Sequence, residues 1–295
     1  MRQFNYTVYL PGQKKTVQIE ELKFNRYKHL VKNITNDNDE IIISFFDDLL
    51  EDLCIKENNV KNYSFLDKLI LLLTIRSVCV SPELELTGTC PETKNTFNFA
   101  VKLVDLIDRL QNLNIPDDIY KIAKIYNDGN LIVELGMPSI LNVGISDLSI
   151  INTVIRKIIL NNENVTNVKE EITDHLPAAV LKDISEYINY FSKSLSDVTI
   201  LSVKSPFAIN EAIEIPLNLF SSSIINFLKI CFKRNLMSLY ELEYFLVNHL
   251  NIDYELIKDA TPAELNIYIN LFKDEKRQER DRMSKGNKAL NPLQP

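Results

Sequence analysis

Short runs of alternating apolar and polar residues occur in pairs along the chain, with turn residues between the two members of each pair. Alternation with a period of two is typical of strands, and two such runs around a turn predict a β-hairpin. Asp128-Gly129 between two apolar runs is a strong signal of this kind. The predicted strand pairs are 6–10 with 15–20, 83–89 with 95–101, 119–126 with 131–135, and 197–203 with 211–215.

Elsewhere the apolar residues recur at intervals of three and four, which predicts amphipathic helices. In 40–54, Ile42, Phe46 and Leu49 share one face, and Ser64 is placed to cap the helix that follows it. The polar stretch 161–167 predicts a loop, and 251–259 is a link with room for a helical turn. The predicted helices are 24–32, 40–54, 65–78, 103–113, 146–160, 178–195, 217–234, 239–250 and 262–283.

This order of elements predicts an α+β fold, with short antiparallel β-hairpins alternating with helices and a helical C-terminal region. A chain of 295 residues suits two modules or one large one. We divide it into an N-terminal hairpin–helix region (1–115), a middle hairpin with helices (116–196), a C-terminal hairpin and helical region (197–283) and a flexible tail (284–295).

Three segments repeat one plan of strand, proline-containing turn, strand and apolar-faced helix. The turn prolines are Pro11, Pro91 and Pro206, and a leucine opens the helical pattern 11, 12 and 11 residues later, at Leu22, Leu103 and Leu217. Two interpretations stay open: a common supersecondary unit used three times, or three copies of one small module.

Composition excludes several classes of protein. Apolar residues make up 45% and charged residues 25% of the chain, which is typical of a globular protein and not of a disordered one. The net charge of −7 argues against a nucleic-acid binder that depends on bulk electrostatics. Only 6 residues are glycine, and neither a P-loop nor a dinucleotide-binding fingerprint is present.

The sequence also bears on compartment. The first residues contain no apolar signal-peptide core. The longest strongly apolar run, 69–75, stops at Arg76, and it is far shorter than the roughly 20 residues that span a bilayer. The four widely spaced cysteines are therefore expected to be reduced thiols, and we expect synthesis in the cytoplasm with no membrane partner.

We find no catalytic, cofactor or metal site in the sequence. The HExxH and GxSxG motifs are absent, and the three histidines have no ligands at metal-binding spacing. Cys90 precedes Pro91 in a turn, as in metal knuckles, but Thr93 stands where a second cysteine is needed. We therefore expect no cofactor, no metal and no enzyme activity.

Acidic residues cluster between residues 37 and 57, where eight carboxylates face one lysine. Asp47 and Glu51 share a helix face at four-residue spacing, as do Asp48 and Asp52. A solvated helix face is the simplest interpretation. A metal-dependent hydrolase that uses Asp47, Asp48, Glu51 and Asp52, or an acidic docking surface, is the alternative.

The last predicted helix carries the opposite charge. From residue 273 to 288 there are seven basic and four acidic residues, a net of +3 on a chain that is otherwise −10. Lys276, Arg277 and Arg280 are its candidate binding residues. The segment is either a solvated helix end or a protruding arm that becomes ordered on a partner.

Aromatic residues gather just before this basic segment. Tyr240, Tyr244, Phe245 and Tyr268 are the candidates for partner binding, because interfaces favour such residues. Packing in the core is the alternative interpretation.

The run 232–272 resembles the end of the baseplate hub subunit family of T-even-like contractile-tailed phages, which has an N-L-x-x-x-Y-x-L-x-Y helix, an Asn-Ile link, T-P-x-E-R-x-I-Y-I and a charged tail. The matching positions are Asn235, Leu236, Tyr240, Leu242, Tyr244, Asn251, Ile252, Thr261, Pro262, Glu264, Ile267, Tyr268 and Ile269. Leu265 stands where the family often has Arg. Many members have C-P-x-C in the middle hairpin, whereas this chain has Thr93 at the second cysteine position.

The resemblance implies a structural or assembly component of a phage tail baseplate hub that acts through protein–protein contacts and not through catalysis. Its expected partners are other tail and baseplate hub proteins, in a homo-oligomer or a hetero-oligomer, with no nucleic acid. The expected location is the virion tail baseplate, or the host cytoplasm during assembly. The competing hypotheses are the metal-dependent hydrolase and a non-catalytic adaptor that binds through its basic C-terminal helix.

Overall fold

A computed structural model describes residues 5–57, 59–113, 121–126, 129–137, 147–161, 163–165, 176–207, 212–217, 219–220 and 223–289. Its helices are α1 Phe24–Asn33, α2 Asp39–Leu53, α3 Phe65–Cys79, α4 Leu103–Gln111, α5 Asp147–Val154, α6 Ala178–Val198, α7 Ser223–Phe232, α8 Leu236–Leu250, α9 Tyr254–Asp259 and α10 Pro262–Ala289. Its strands are β1 Asn5–Leu10, β2 Lys15–Glu20, β3 Glu83–Thr89, β4 Thr96–Lys102, β5 Lys121–Tyr126, β6 Gly129–Leu135, β7 Ile155–Leu160, β8 Glu163–Val165, β9 Ile200–Lys204 and β10 Ala212–Pro216.

All strand pairs in the described residues are antiparallel. β1–β2, β3–β4 and β9–β10 are separate two-stranded sheets, and β5, β6, β7 and β8 form a four-stranded meander. The predicted α+β class, with hairpins alternating with helices and a helical C-terminal region, is confirmed. The predicted start of the third hairpin, its turn residues 127 and 128, and the predicted helix start at 146 lie outside the described residues.

The prediction for 146–160 was wrong in its second half. Helix α5 stops at Val154, and Ile155–Leu160 is strand β7, which pairs with β6. The β-branched residues Ile155, Ile158 and Ile159 favour a strand, and β6 offers a free edge to pair with. The polar stretch after β7 is likewise not all loop, because Glu163–Val165 pairs with β7 as strand β8.

Several C-terminal helix boundaries also differ from prediction, among them the start of α8, which is Leu236 and not residue 239. Helix α7 begins at Ser223 and not at 217, because Leu217 is held against Thr199: the Leu217 amide N lies 3.4 Å from the Thr199 carbonyl oxygen, and the Thr199 hydroxyl oxygen lies 3.0 Å from the Leu217 carbonyl oxygen. These bonds continue the β9–β10 ladder by one residue and delay the helix. Helix α10 continues to Ala289, past the predicted end at 283.

Most of the buried apolar residues in the described part of the chain belong to two clusters. The larger contains residues of β1, β2, α1–α4 and α7–α10, with α3 at its centre and buried on nearly all sides. The smaller contains residues of β5–β7, α5 and the first half of α6. Helix α6 joins them, because Val180 and Ile184 belong to the smaller cluster while Phe191 and Leu195 belong to the larger. The division of the chain at 115, 196 and 283 stays a prediction.

Candidate partner-binding site

Helix α8 presents two tyrosines to solvent. Its N-cap is Asn235, whose side chain accepts the Met237 N–H at 2.9 Å, and its C-cap is Asn251, which is in the left-handed conformation with φ 52°. These caps define the two ends of the helix, and the burial of Leu239 and Leu246 in the larger cluster sets which face of the helix points inward. Tyr240 and Tyr244 lie outside this buried stripe and are 51% and 65% exposed.

A buried ion pair lies beneath the first of these tyrosines. Lys28 Nζ of α1 is 2.7 Å from Glu243 Oε2 of α8, and both side chains are almost entirely buried. The same ammonium lies 5.2 Å from the centroid of the Tyr240 ring and 5.3 Å from that of Phe24, within cation–π range. Tyr240 is therefore half exposed to solvent, while its ring lies over the buried ammonium of Lys28.

Helix α10 supplies the other candidate aromatic residue. Thr261 Oγ1 accepts the Glu264 N–H at 3.2 Å, and Glu264 Oε2 accepts the Thr261 N–H at 2.7 Å, which is a complete capping box. Leu265 is buried, whereas Tyr268 is 48% exposed and its neighbours Ile267 and Leu271 are 58% and 62% exposed. This is an apolar patch of three side chains on the first half of α10.

Phe245 has a different environment from the exposed tyrosines. It is half-buried, and its ring packs edge-to-face on Phe272 of α10, with the centroids 5.4 Å apart. It also contacts His249 on its own helix. The ring contact places Phe245 on the side of α8 that faces α10, whereas Tyr240 lies on the side that faces α1. The structure therefore divides the predicted aromatic group into separate surfaces.

The basic candidates follow Phe272 along α10. Lys276, Arg277 and Arg280 are all exposed, and with Phe272, Lys273 and Asp281 they line an open groove on the helix surface. Lys276 Nζ is 2.8 Å from Glu279 Oε2, and this hydrogen bond raises the pKa of Lys276. Lys276 also lies over the Phe272 ring, 5.7 Å from its centroid. The arm, defined as residues 273–289, is thus a helical segment with a net positive charge, and its side chains are mostly exposed as far as Met283.

The carboxylates of the acidic cluster do not converge. Asp47 Oδ1 points inward and lies 2.7 Å from the buried Lys68 Nζ of α3. Burial raises the pKa of Asp47 and lowers that of Lys68, while their mutual attraction opposes both shifts. Asp48 Oδ1 and Glu51 Oε2 bind Lys61 at 2.8 and 3.4 Å, and Asp52 Oδ2 lies 3.8 Å from an Arg26 nitrogen on α1.

This geometry gives no support to the hydrolase hypothesis. A metal-dependent site needs carboxylates directed at one point, whereas each of these four has a cationic partner of its own or shares one with a neighbour. Among the described residues, no group of three or more His, Cys, Asp or Glu side chains is placed to hold a metal ion.

Cys90 directly follows β3, is buried and lies near hydrogen-bond donors. The backbone N–H and hydroxyl of Thr93, the Ser205 hydroxyl and the Glu92 N–H lower the pKa of its thiol to about 7. A structural zinc ion takes four Cys or His ligands, and this corner offers one thiol and two hydroxyls. The residues present therefore do not fit the metal knuckle of the resembling family. Within the described residues, no helix is long and apolar enough to cross a membrane.

Comparison with known proteins gives one match. The model of a family described as T4 bacteriophage base plate protein matches residues 1–201 of the 295-residue chain. The match spans β1 to β8, α1 to α6 and the start of β9. It ends before 232–272, the run that resembles the hub subunit. No curated protein and no solved structure matches the chain.

Proposed function

The chain belongs to the T4 bacteriophage base plate protein family, and from this membership together with the resemblance of 232–272 we propose that it is a component of the baseplate hub that works by contacts with other tail proteins. The family membership supports a structural component of the virion tail and suggests a protein that is not an enzyme. The hub assignment rests on the resemblance of 232–272.

The main support for a contact function is the exposed surface of α8 and α10. Tyr240, Tyr244, Ile267, Tyr268 and Leu271 are all about half or more exposed, although Leu239, Leu246 and Leu265 on the same two helices are buried. Large apolar side chains that are held by a packed helix and left open to solvent mark interaction surfaces. Tyrosine in particular contributes contact area at a small entropic cost.

The arm supports a second contact, which is electrostatic and not apolar. A helical segment of this length with few packing contacts is marginal on its own in water, so a partner surface that orders it would stabilise it. The basic groove of Lys276, Arg277 and Arg280 suits an acidic partner surface. Binding through the basic C-terminal helix, which the adaptor hypothesis requires, is therefore compatible with a role in the baseplate.

Capture of tail proteins from phage-infected cells tests the proposal. We expect the tagged chain to retain specific tail proteins, Tyr240→Ala/Tyr244→Ala to lose them by at least tenfold, and Lys276→Glu/Arg277→Glu/Arg280→Glu to lose them in a salt-dependent manner.

Two control variants are matched to these changes. Tyr190→Ala removes a tyrosine that is 54% exposed on α6, and Lys182→Glu reverses an exposed charge on the same helix. Both should retain the partners. Capture of no tail protein by the wild-type chain, or equal losses in the controls, would exclude the proposed surfaces.

A further inference from the structure

The arm carries its positive charge mainly on one face. Lys273, Lys276, Arg277 and Arg280 recur at the three- and four-residue spacing that places side chains next to one another on a helix. All four line the same open groove on the helix surface. Of the four carboxylates in the arm, one lines this groove, that of Asp281. We refer to the four basic residues as the basic stripe.

The basic stripe has little to bind on its own chain. Lys276 Nζ lies 2.8 Å from a carboxylate oxygen of Glu279 on the same helix. Lys273, Arg277 and Arg280 are exposed, and they make no ion pair within the described part of the chain. Most of the charge of the stripe is therefore available to a partner.

The outward side of α2 carries the opposite charge. Asp37, just before the helix, and Glu40 and Asp48 on it are exposed, while the opposite side of α2 is buried in the larger cluster. Asp37 and Glu40 make no ion pair within the residues that the structure describes. Asp48 Oδ1 and Glu51 Oε2 share Lys61 Nζ, at 2.8 and 3.4 Å, which leaves one of their two negative charges uncompensated. We refer to Asp37, Glu40 and Asp48 as the acidic face.

The two faces match in size and charge, but they do not meet within one chain. The ends of the basic stripe lie about two helical turns apart, as do Glu40 and Asp48, a distance of roughly 11 Å along each helix axis. Rows of charge with the same length on two helices can lie side by side. Among the described residues, no ion pair joins the arm to α2. Each face therefore finds its complement on a second copy of the chain.

We propose that the basic stripe of one copy docks on the acidic face of a second copy, in a head-to-tail contact between identical chains. Because the contact joins two different patches, it is heterologous and can be repeated into a ring or a row of copies. Exposed ion pairs are individually weak, so the contact depends on several of them together and on low salt. The inference rests on the arm being a contact surface, as in the proposed function, and it identifies the acidic partner of the arm as a second copy.

Sedimentation equilibrium of the purified 295-residue chain tests this contact in the absence of any other tail protein. The wild type should have a weight-average mass that is above the monomer mass and rises with protein concentration. The mass should fall towards that of the monomer when NaCl is raised from about 0.1 M to about 1 M, because the Debye length shortens from about 10 Å to about 3 Å. Arg277→Glu/Arg280→Glu and Glu40→Lys/Asp48→Lys should each weaken association at least tenfold.

An equimolar mixture of these two variants gives the sharpest test. The first variant keeps an intact acidic face and the second an intact basic stripe, so the mixture should regain the association that neither has alone. Both variants keep a net negative charge, so a general attraction between them does not explain the recovery. The matched controls reverse two exposed charges elsewhere and should associate as the wild type does: Lys182→Glu/Lys193→Glu on α6 and Asp105→Lys/Asp108→Lys on α4.

A wild type that is monomeric at every concentration would overturn the proposal. So would charge-reversal variants that associate as the wild type does, or a mixture no more associated than its components. The circular dichroism spectra of the variants should match the wild type, because the changed positions are exposed. If a reversal unfolds the chain, Arg277→Gln/Arg280→Gln and Glu40→Gln/Asp48→Asn provide the same mixing test. A monomeric chain that still captures tail proteins through its arm would overturn the self-contact alone and leave the proposed function standing.

Discussion

Lys28 Nζ lies 2.7 Å from Glu243 Oε2, in an ion pair that joins α1 to α8 across 215 residues of sequence. Lys28 is inside the segment that matches the family model, and Glu243 is outside it. The two therefore belong to one folded unit, and the C-terminal helices that carry the candidate contact surface are anchored on the N-terminal core. Substitution of the ion pair and deletion of the C-terminal helices test separately what each contributes to stability.

Removing one member of this pair should be strongly destabilising. Lys28→Met leaves the Glu243 carboxylate buried without its cation, which costs about 3–5 kcal/mol of unfolding free energy in comparable cases. Denaturant unfolding measures the loss. Lys28→Met/Glu243→Leu should recover most of it, because an apolar pair needs no counterion. Equal losses in the single and double variants would contradict this account.

Ending the chain at residue 201 should prevent stable folding, although the family match ends there. The deletion removes Leu219, Ile224, Leu228 and Phe232, all at most 2% exposed in the larger cluster. The apolar surface of α1 and α3 would then face water. We expect aggregation or a non-cooperative thermal transition.

The matched truncation at residue 283 deletes only the last turns of α10 and the residues C-terminal to them. It should retain the wild-type melting temperature within about 2 °C, because a small loss of free energy moves the midpoint of a chain this size by only a few degrees. A stable, cooperative 1–201 fragment would show that the C-terminal helices are not part of the core.

Gly12→Ala should destabilise the first hairpin. Gly12 N–H donates to Asp67 Oδ1 of α3 at 2.9 Å, and a Cβ at Gly12 would lie 2.4 Å from Asp67 Oδ2 and 2.5 Å from Ser64 Oγ. The turn or the buried carboxylate must move, at a cost of about 1–3 kcal/mol. Gln13→Ala, at an exposed position of the same turn, should change the unfolding free energy by less than about 0.5 kcal/mol.

Asp67 should give the protein a specific pH dependence. Burial raises the pKa of Asp67 above its ordinary value of 3.8, although hydrogen bonds from Ser64 and Gly12 oppose this rise. The folded chain thus binds the proton more tightly than the unfolded chain. The contribution to stability is complete below pH 3.8 and is lost as the pH rises through the folded-state pKa.

Denaturant titrations of wild type and Asp67→Asn from about pH 3 to 7 check this sign. The unfolding free energy of the wild type, relative to the variant, should fall as the pH increases. Gln13→Ala, which removes no titratable group from the turn that Asp67 contacts, is the control and should show a flat difference. A relative stability of the wild type that rises with pH would contradict the expected direction.

Local pattern was enough to locate most helices and hairpins. Ser64 caps α3 as expected, through a bond from the Asp67 N–H to Ser64 Oγ at 3.1 Å. The errors fell where a neighbour distant in sequence decided the conformation. Ile155–Leu160 became a strand because β6 was beside it, and Leu217 stayed extended because Thr199 bound it.

The sequence determined where the charged and aromatic side chains lie along each helix, because residue type gives their chemistry and helical spacing gives the face on which they lie. It placed Tyr240 and Tyr244 on one helix and the basic residues on another. Only the tertiary structure decided which of them reach solvent, since burial depends on what packs against each face: Phe245 is half-buried against Phe272, whereas Tyr244 is 65% exposed. It also decided that Asp47 points inward to Lys68, because such a pair is created by packing between two separate helices.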